Sequence, residues 1–373
     1  MEIDLFNSFR EPKIIKHLAD ELSKISKDLP KPINIMEVCG GHTHSIMKYG
    51  LPQLMPNNIN FIHGPGCPVC VMPKGRIDHA FELANMQDTI LVTLGDMIKV
   101  PGSKGSLQKA RSLGADVRFV YSPMDTLKIA TENPTKNIVF FAIGFETTTP
   151  MTCALIAKTL QLKIKNLFFH INHITVPEPM MAILDDTTNK IDAFIGPSHV
   201  SVITGSKIYE QFATKYKKPL VVGGFEPVDI MESILMIVRQ IIEKRCELEV
   251  QYSRSVTYDG NQAAQKLVEK FLEKREMFEW RGLGEIPLSG LKLKNEFEFL
   301  DAEIVFAKFL PQEKQSDNKN CICGSILKGQ AKPYECKVFG TACTPSNPLG
   351  SCMVSSEGAC SAYFKYGKLN FLK

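Results

Sequence analysis

From Pro12 to Lys27, apolar residues fall at Ile14, Ile15, Leu18, Leu22 and Ile25, the spacing of one helix face, and the pattern stops before Pro30 and Pro32. This segment is expected to be a packing helix. Beyond it a grammar repeats, in which a short apolar, β-rich run passes at once into a polar or glycine-containing loop. The runs are Ile33 to Val38, Ile59 to His63, Thr89 to Leu94, Val117 to Tyr121, Ile138 to Ile143, Leu167 to Ile171, Ala193 to Ile195 and Pro219 to Val222. Near-continuous apolar strands separated by segments long enough for helices predict an α/β fold with parallel sheets covered on both faces. In such sheets ligands sit at the carboxyl ends of strands, which is where all of these loops fall.

One pattern is internal. Gly144-Phe145-Glu146 and Gly224-Phe225-Glu226 each follow a buried strand, about eighty residues apart, which marks either a duplicated unit or a chance three-residue match. A duplication divides the chain into two similar Rossmann-like parallel-sheet domains, residues 33–137 and 138–230. Residues 1–32 with 231–373 then form a helical and cysteine-rich remainder. Within it, helical spacing runs from Val228 to about Lys244 and from Asn261 to Phe278, Trp280 to Leu291 reads as a loop, and Lys314 to Asn320 reads as exposed.

With 373 residues, 44% hydrophobic content and a mean hydropathy near zero, the chain has ample core for two or three domains. A formal charge of +4 without basic runs interleaved with aromatics argues against nucleic acid. No apolar stretch reaches the length of a membrane span, and Met1 to Phe6 lack the layout of a signal peptide, so a cytoplasmic protein is expected. There the eleven cysteines point to metal or redox chemistry rather than to a disulfide framework. Cys153 and Cys246 read as ordinary buried thiols.

Six cysteines stand at 321, 323, 336, 343, 352 and 360. They lack the paired Cys-x-x-Cys spacing of most zinc sites, and four thiolates on irregular loops suit a [4Fe-4S] cluster, with structural zinc or unligated thiols as alternatives. Spacing does not choose between Cys321 and Cys323 beside Cys336, Cys343 and Cys360; Cys352 reads as spare. Cys67-Pro-Val-Cys70 reads as a redox pair, the alternative being half of a zinc site. Cys39-Gly-Gly-His42-Thr-His44 gathers a thiol and two imidazoles into a metal-capable loop. Buried side chains bonded to backbone, or a Cys/His hydrolase, would be the other readings. His170, Asn172, His173 and His199 could line the same cleft, and Glu146 and Glu226 read as helix caps. No loop matches a phosphate-binding fingerprint.

Taken together, Cys-Gly-Gly-His-Thr-His at 39 to 44, Gly-Pro-Gly-Cys-Pro-Val-Cys at 64 to 70, Gly-Phe-Glu-Thr-Thr-Thr-Pro at 144 to 150 and Met-Val-Ser-Ser-Glu-Gly-Ala-Cys at 353 to 360 resemble the signatures of the HypD family of hydrogenase maturation factors. The resemblance implies two similar α/β domains plus a [4Fe-4S] region, and work with a small HypC-type chaperone and a HypE-type cyanide donor in building the Fe(CN)2CO group of [NiFe]-hydrogenases. It implies that Cys39 ligates the nascent iron with His42 nearby, and that Cys67 and Cys70 form the redox pair. Glu357 would tune the relay. Cys321, Cys336, Cys343 and Cys360 would hold the cluster, Cys321 being favoured over Cys323. A cluster-dependent thiol-disulfide reductase is the alternative, and it has no need of the Cys39 loop.

Overall fold

The computed structural model describes residues 7–313 and 317–370. The first six residues, and 314–316 of the expected exposed stretch, lie outside them. Parallel strands run in chain order as β1 (Ile33–Glu37), β2 (Ile59–His63), β3 (Thr89–Leu94), β4 (Asp116–Val120), β5 (Asn137–Gly144), β6 (Leu167–His173), β7 (Ala193–Pro197), β8 (Leu220–Gly223) and β9 (Leu248–Val250). They form two sheets, of order β2-β1-β7-β8-β9 and β4-β3-β5-β6. All of their pairings are parallel. The α/β fold is as expected from the apolar runs.

The partition into domains is not. The expected boundaries, 33–137 and 138–230, cut across both sheets, because β1 pairs with β7 while β3 pairs with β5. The chain begins the first sheet with β1 and β2, builds the whole second sheet, and returns to finish the first. Renumbered within each sheet, the first winds in the order 2-1-3-4-5 and the second in the order 2-1-3-4, so the duplication is one of topology, and the second unit is inserted into the first. An order of this kind has a switch point beside its first strand, where crossover helices diverge and leave a crevice. The two switch points fall between β1 and β7 and between β3 and β5.

Apolar packing covers both faces of the sheets. The helix Pro12–Ile25 lays Leu18 and Leu22 against Ile230, Ile234 and Val238 of the helix Pro227–Ile242, over Ile33 and Ile35 of β1. Fully burying a side chain such as Leu22 is worth about 1.5–3 kcal/mol. The helical pattern expected from Asn261 to Phe278 ends earlier: a helix spans Gln262–Phe271, and Leu272–Lys274 turns into a strand against Leu291–Leu293. The expected loop beyond Trp280 is half of a hairpin, Met277–Trp280 against Gly284–Pro287. Trp280 is buried there, its indole N–H donating to Ser289 Oγ at 2.8 Å and its ring 6.0 Å from that of Phe145. The helix Ala359–Asn370 closes the molecule, packing Ala362 and Tyr363 on Met47.

Candidate functional site

Cys39 directly follows β1 and Val38, with extended backbone, as the residue preceding the helix Gly40–Lys48. The expected loop is therefore a helix start. Glycines are tolerated there because packing demands them: a Cβ on Gly40 would lie 2.3 Å from Glu357 Cβ. Helical geometry also separates the two histidines, since positions two apart do not share a face. His42 turns inward, while His44 turns to the carboxyl-terminal segment, its Nδ1 3.4 Å from the Ser356 carbonyl and its ring edge-on to Tyr366. The second imidazole beside Cys39 belongs instead to His199, both of whose ring nitrogens are 3.8 Å from the sulfur.

His42 Nε2 faces the carbonyl oxygens of Gly223 and Gly224 at 3.2 and 3.0 Å. Those partners only accept, so Nε2 carries the proton and Nδ1, buried and without a partner, presents a lone pair. Burial brings His42 and His199 down to about 4, so both are neutral at physiological pH. The Phe225 ring lies between them, 4.6 Å from His42 and 4.9 Å from His199. Burial pushes the Cys39 thiol well up, with the nearby Glu357 carboxylate adding to it and the amides of Gly41 and His42 opposing it.

The pocket in front of Cys39 encloses about 400 Å³. Its walls come from both switch points: Cys39 and His199 from the first sheet, Leu94 to Asp96 with Gly144, Phe145, Thr147 and Thr148 from the second, and Ser355 to Glu357 closing one side. Glu357 is pushed up by burial and by Asp96.

Behind the pocket, Cys67 precedes the short helix Pro68–Val71 and its sulfur accepts the Cys70 N–H at 3.3 Å. The two sulfurs are 2.6 Å apart, and both residues are at most 3% exposed. Burial pushes the Cys70 thiol well up, followed by Cys67, Glu357 and Cys360. The Ser351 hydroxyl donates to the Cys70 carbonyl, tying the pair to the cysteine-rich segment. Cys323 and Cys352 line a narrow pocket there with Ile326, Val338, Phe339 and Met353, and so do Cys321, Cys336, Cys343 and Cys360. Their thiols are free, whereas Cys323 is joined to Cys352 as a disulfide, a bond that the expectation of reduced thiols did not foresee. The Leu349 N–H points at Cys343 Sγ, 3.4 Å away. Sulfur donors in this arrangement suit soft metals.

Other expectations need correction. Of the four residues placed in the cleft by their loops, only His199 lines it. His173 is buried beneath, bonded to Thr152 Oγ1 at 2.8 Å and to the Gly144 carbonyl at 3.2 Å. His170 and Asn172 lie on the second sheet beside His79 and Arg76. His79, His170 and Glu303 come close enough to share an ion, but the Glu303 carboxylate is held by Arg76 at 2.5 and 2.6 Å and by Arg275, which makes this an ion-pair node. Glu226 precedes a helix yet makes no cap; it pairs with Arg10 at 2.7 Å. Glu146 accepts the Val176 N–H at 3.0 Å instead of capping. Cys153 is buried as expected, while Cys246 is half-buried.

One network had no clear sequence signal beyond a charge at the end of an apolar strand. Buried Glu37 accepts the Cys39 N–H at 3.1 Å and the Thr43 hydroxyl, and lies 2.6 Å from His63 Nδ1. His63 Nε2 in turn is 3.3 Å from the Tyr363 hydroxyl, three residues beyond Cys360. It ties the Cys39 backbone to the last helix.

Fold and site together define a thiol-rich α/β protein whose two parallel sheets meet at a cysteine–imidazole pocket backed by a dithiol. The HypD model, described as the hydrogenase formation hypA family, matches residues 13–367. The chain is 50% identical over 369 residues to hydrogenase maturation factor HypD2 of Bradyrhizobium diazoefficiens, covering 97% of this chain and 96% of that protein. It is 45% identical over 365 residues to hydrogenase maturation factor HypD of Escherichia coli, covering 96% and 97%. The chain belongs to the HypD family of hydrogenase maturation factors. Among the described residues, no helix is long and apolar enough to cross a membrane.

Proposed function

We propose that the protein is the scaffold on which iron is held while its cyanide and carbonyl ligands are installed, with Cys39 as the protein's own ligand to that cargo. The observation that carries this reading is the pocket itself: one sulfur, 3.8 Å from a neutral imidazole, at the meeting of two switch points, with Glu357 on its wall. Cyanide and carbon monoxide favour low-spin iron(II), and a thiolate is a suitable soft anchor. A single protein thiol leaves coordination positions for the new ligands and for a cysteine of a HypC-type chaperone, with a HypE-type protein as cyanide donor.

Cys67 and Cys70 are the redox pair of this reading; closing their disulfide releases two electrons and two protons. Neither sulfur lines the pocket as Cys39 does, which argues against the rival reading, a thiol-disulfide reductase, in which a protein disulfide must reach one of them. Four thiols, three from loops and Cys360 from the first turn of the last helix, in an apolar shell with an amide N–H aimed at one sulfur, fit a [4Fe-4S] cluster. Cys321, Cys336, Cys343 and Cys360 would hold it, and when bound it would supply one-electron storage beside the dithiol. Replacing Cys39 by Ala is expected to abolish loading of the iron cargo while iron and acid-labile sulfide at the four-thiol site stay at the wild-type level. Retained cargo in Cys39→Ala would overturn the assignment of Cys39, and one zinc with no sulfide would overturn the cluster.

A further inference from the structure

The loop Gly144 to Thr149 separates two cavities. Gly144, Thr147 and Thr148 face the Cys39 pocket, whereas Glu146 and Thr149 face a second cavity of about 570 Å³ behind it. Ile203, Ile208, Val268, Leu272 and Leu291 give this second cavity largely apolar walls. Such a concave apolar site with a few convergent polar groups is the usual form of a small-molecule pocket.

The polar group here is Glu146. The residue is half-buried: its Oε1 accepts the Val176 N–H at 3.0 Å, while its Oε2, turned out of solvent, has no partner. An unpaired buried carboxyl oxygen is costly, and in its ionised form, above about pH 7, it is satisfied by a ligand that donates a hydrogen bond. The surrounding charge selects among donors. Glu178, Glu269 and Glu273 also line the cavity; Lys274 pairs with Glu178 at 2.5 Å and Lys292 with Glu273 at 3.0 Å, so the negative charge left over is that of Glu146 and the exposed Glu269. An anion would be repelled, and an alcohol would leave the excess negative charge uncompensated.

We propose that this cavity is a binding site for a small organic cation, an ammonium or amidinium group on an apolar body, whose charged N–H group pairs with Glu146 Oε2 while the body packs on Val268 and Leu272. The site shares a wall with the Cys39 pocket but none of its lining residues, and it stands independently of any role in iron assembly.

The test uses the full chain and three probes of matched shape: 2-phenylethylammonium, 2-phenylethanol and phenylacetate, followed by saturation-transfer NMR and calorimetry. The ammonium is expected to bind saturably, the alcohol about tenfold more weakly or worse, and phenylacetate not at all. Glu146→Gln is expected to weaken the ammonium by about tenfold. Val268→Trp, which fills the cavity from a half-buried position, is expected to abolish binding and decides the matter should Glu146→Gln fail to fold. Absence of saturable ammonium binding, equal binding of phenylacetate, or full binding by Val268→Trp would overturn the proposal.

Discussion

Replacing Gly66 by Ala tests how tightly the Cys39 and Cys67 segments are held together. A Cβ at this position would lie 2.3 Å from both N and Cα of Cys39 and 2.4 Å from the Val38 carbonyl carbon. Ordinary contact begins near 3.4 Å, and backbone atoms cannot swing aside as a side-chain tip can, so the two segments must part by about 1.1 Å. Overpacking of this kind costs about 1–3 kcal/mol. Parting the segments also weakens the bond from the Gly40 N–H to the Gly66 carbonyl, 3.0 Å in the native chain, for about 1 kcal/mol more. The control is Gly75→Ala. Gly75 lies in the first turn of the helix Lys74–Asn85, its added Cβ would meet nothing within 4 Å, and alanine there is expected to stabilise by about 0.5–1 kcal/mol. Urea unfolding of both variants beside the parent should place Gly66→Ala about 2–4 kcal/mol below the parent and Gly75→Ala at or above it. Equal midpoints for the two variants would refute the close approach of the two segments.

Glu303→Ala strands two largely buried guanidiniums, Arg76 and Arg275, and is expected to cost about 3 kcal/mol in the same assay; a loss below about 1 kcal/mol would contradict the ion-pair node. Glu146 gives a pH signature. Burial raises it from an ordinary 4.5 to about 7, so its contribution to stability is full below 4.5 and is lost as pH rises through 7, amounting to roughly 3 kcal/mol. Relative to Glu146→Gln, the parent should lose stability by that amount between pH 4 and pH 8, and parallel pH profiles would refute the assignment. The Glu37 network predicts that Glu37→Ala, which leaves His63 and the Cys39 amide without their buried acceptor, destabilises by about 2–3 kcal/mol, read by thermal unfolding. A neutral result would dismiss it.

The strands were legible because a fully buried parallel strand is a nearly unbroken apolar run, and β2 and β3 begin and end where their runs do. Their assignment to sheets was not legible. Ile33 to Val38 carries no mark saying that it pairs with Ala193 rather than with Thr89, since parallel pairing depends on where crossover helices pack. The same distance hid the site's second imidazole: His199 meets Cys39 across 160 positions, while His44, five residues away, is turned aside by helix geometry. Leu272 to Lys274 read as helix by spacing and became strand because Leu291–Leu293 offered an edge to pair with. Glu37 is the instructive omission. A carboxylate ending a buried strand is tolerable only if satisfied, and its partners, His63 and Thr43, are in reach only in the folded chain.

The central claim is that Cys39 anchors an iron carrying cyanide and carbonyl ligands. Infrared spectroscopy of the protein purified anaerobically together with a HypC-type chaperone tests it most directly. The account predicts cyanide and carbonyl stretches in the parent complex and their loss in Cys39→Ala with the complex still formed. The same bands persisting in Cys39→Ala, or their absence from an iron-loaded parent complex, would contradict it.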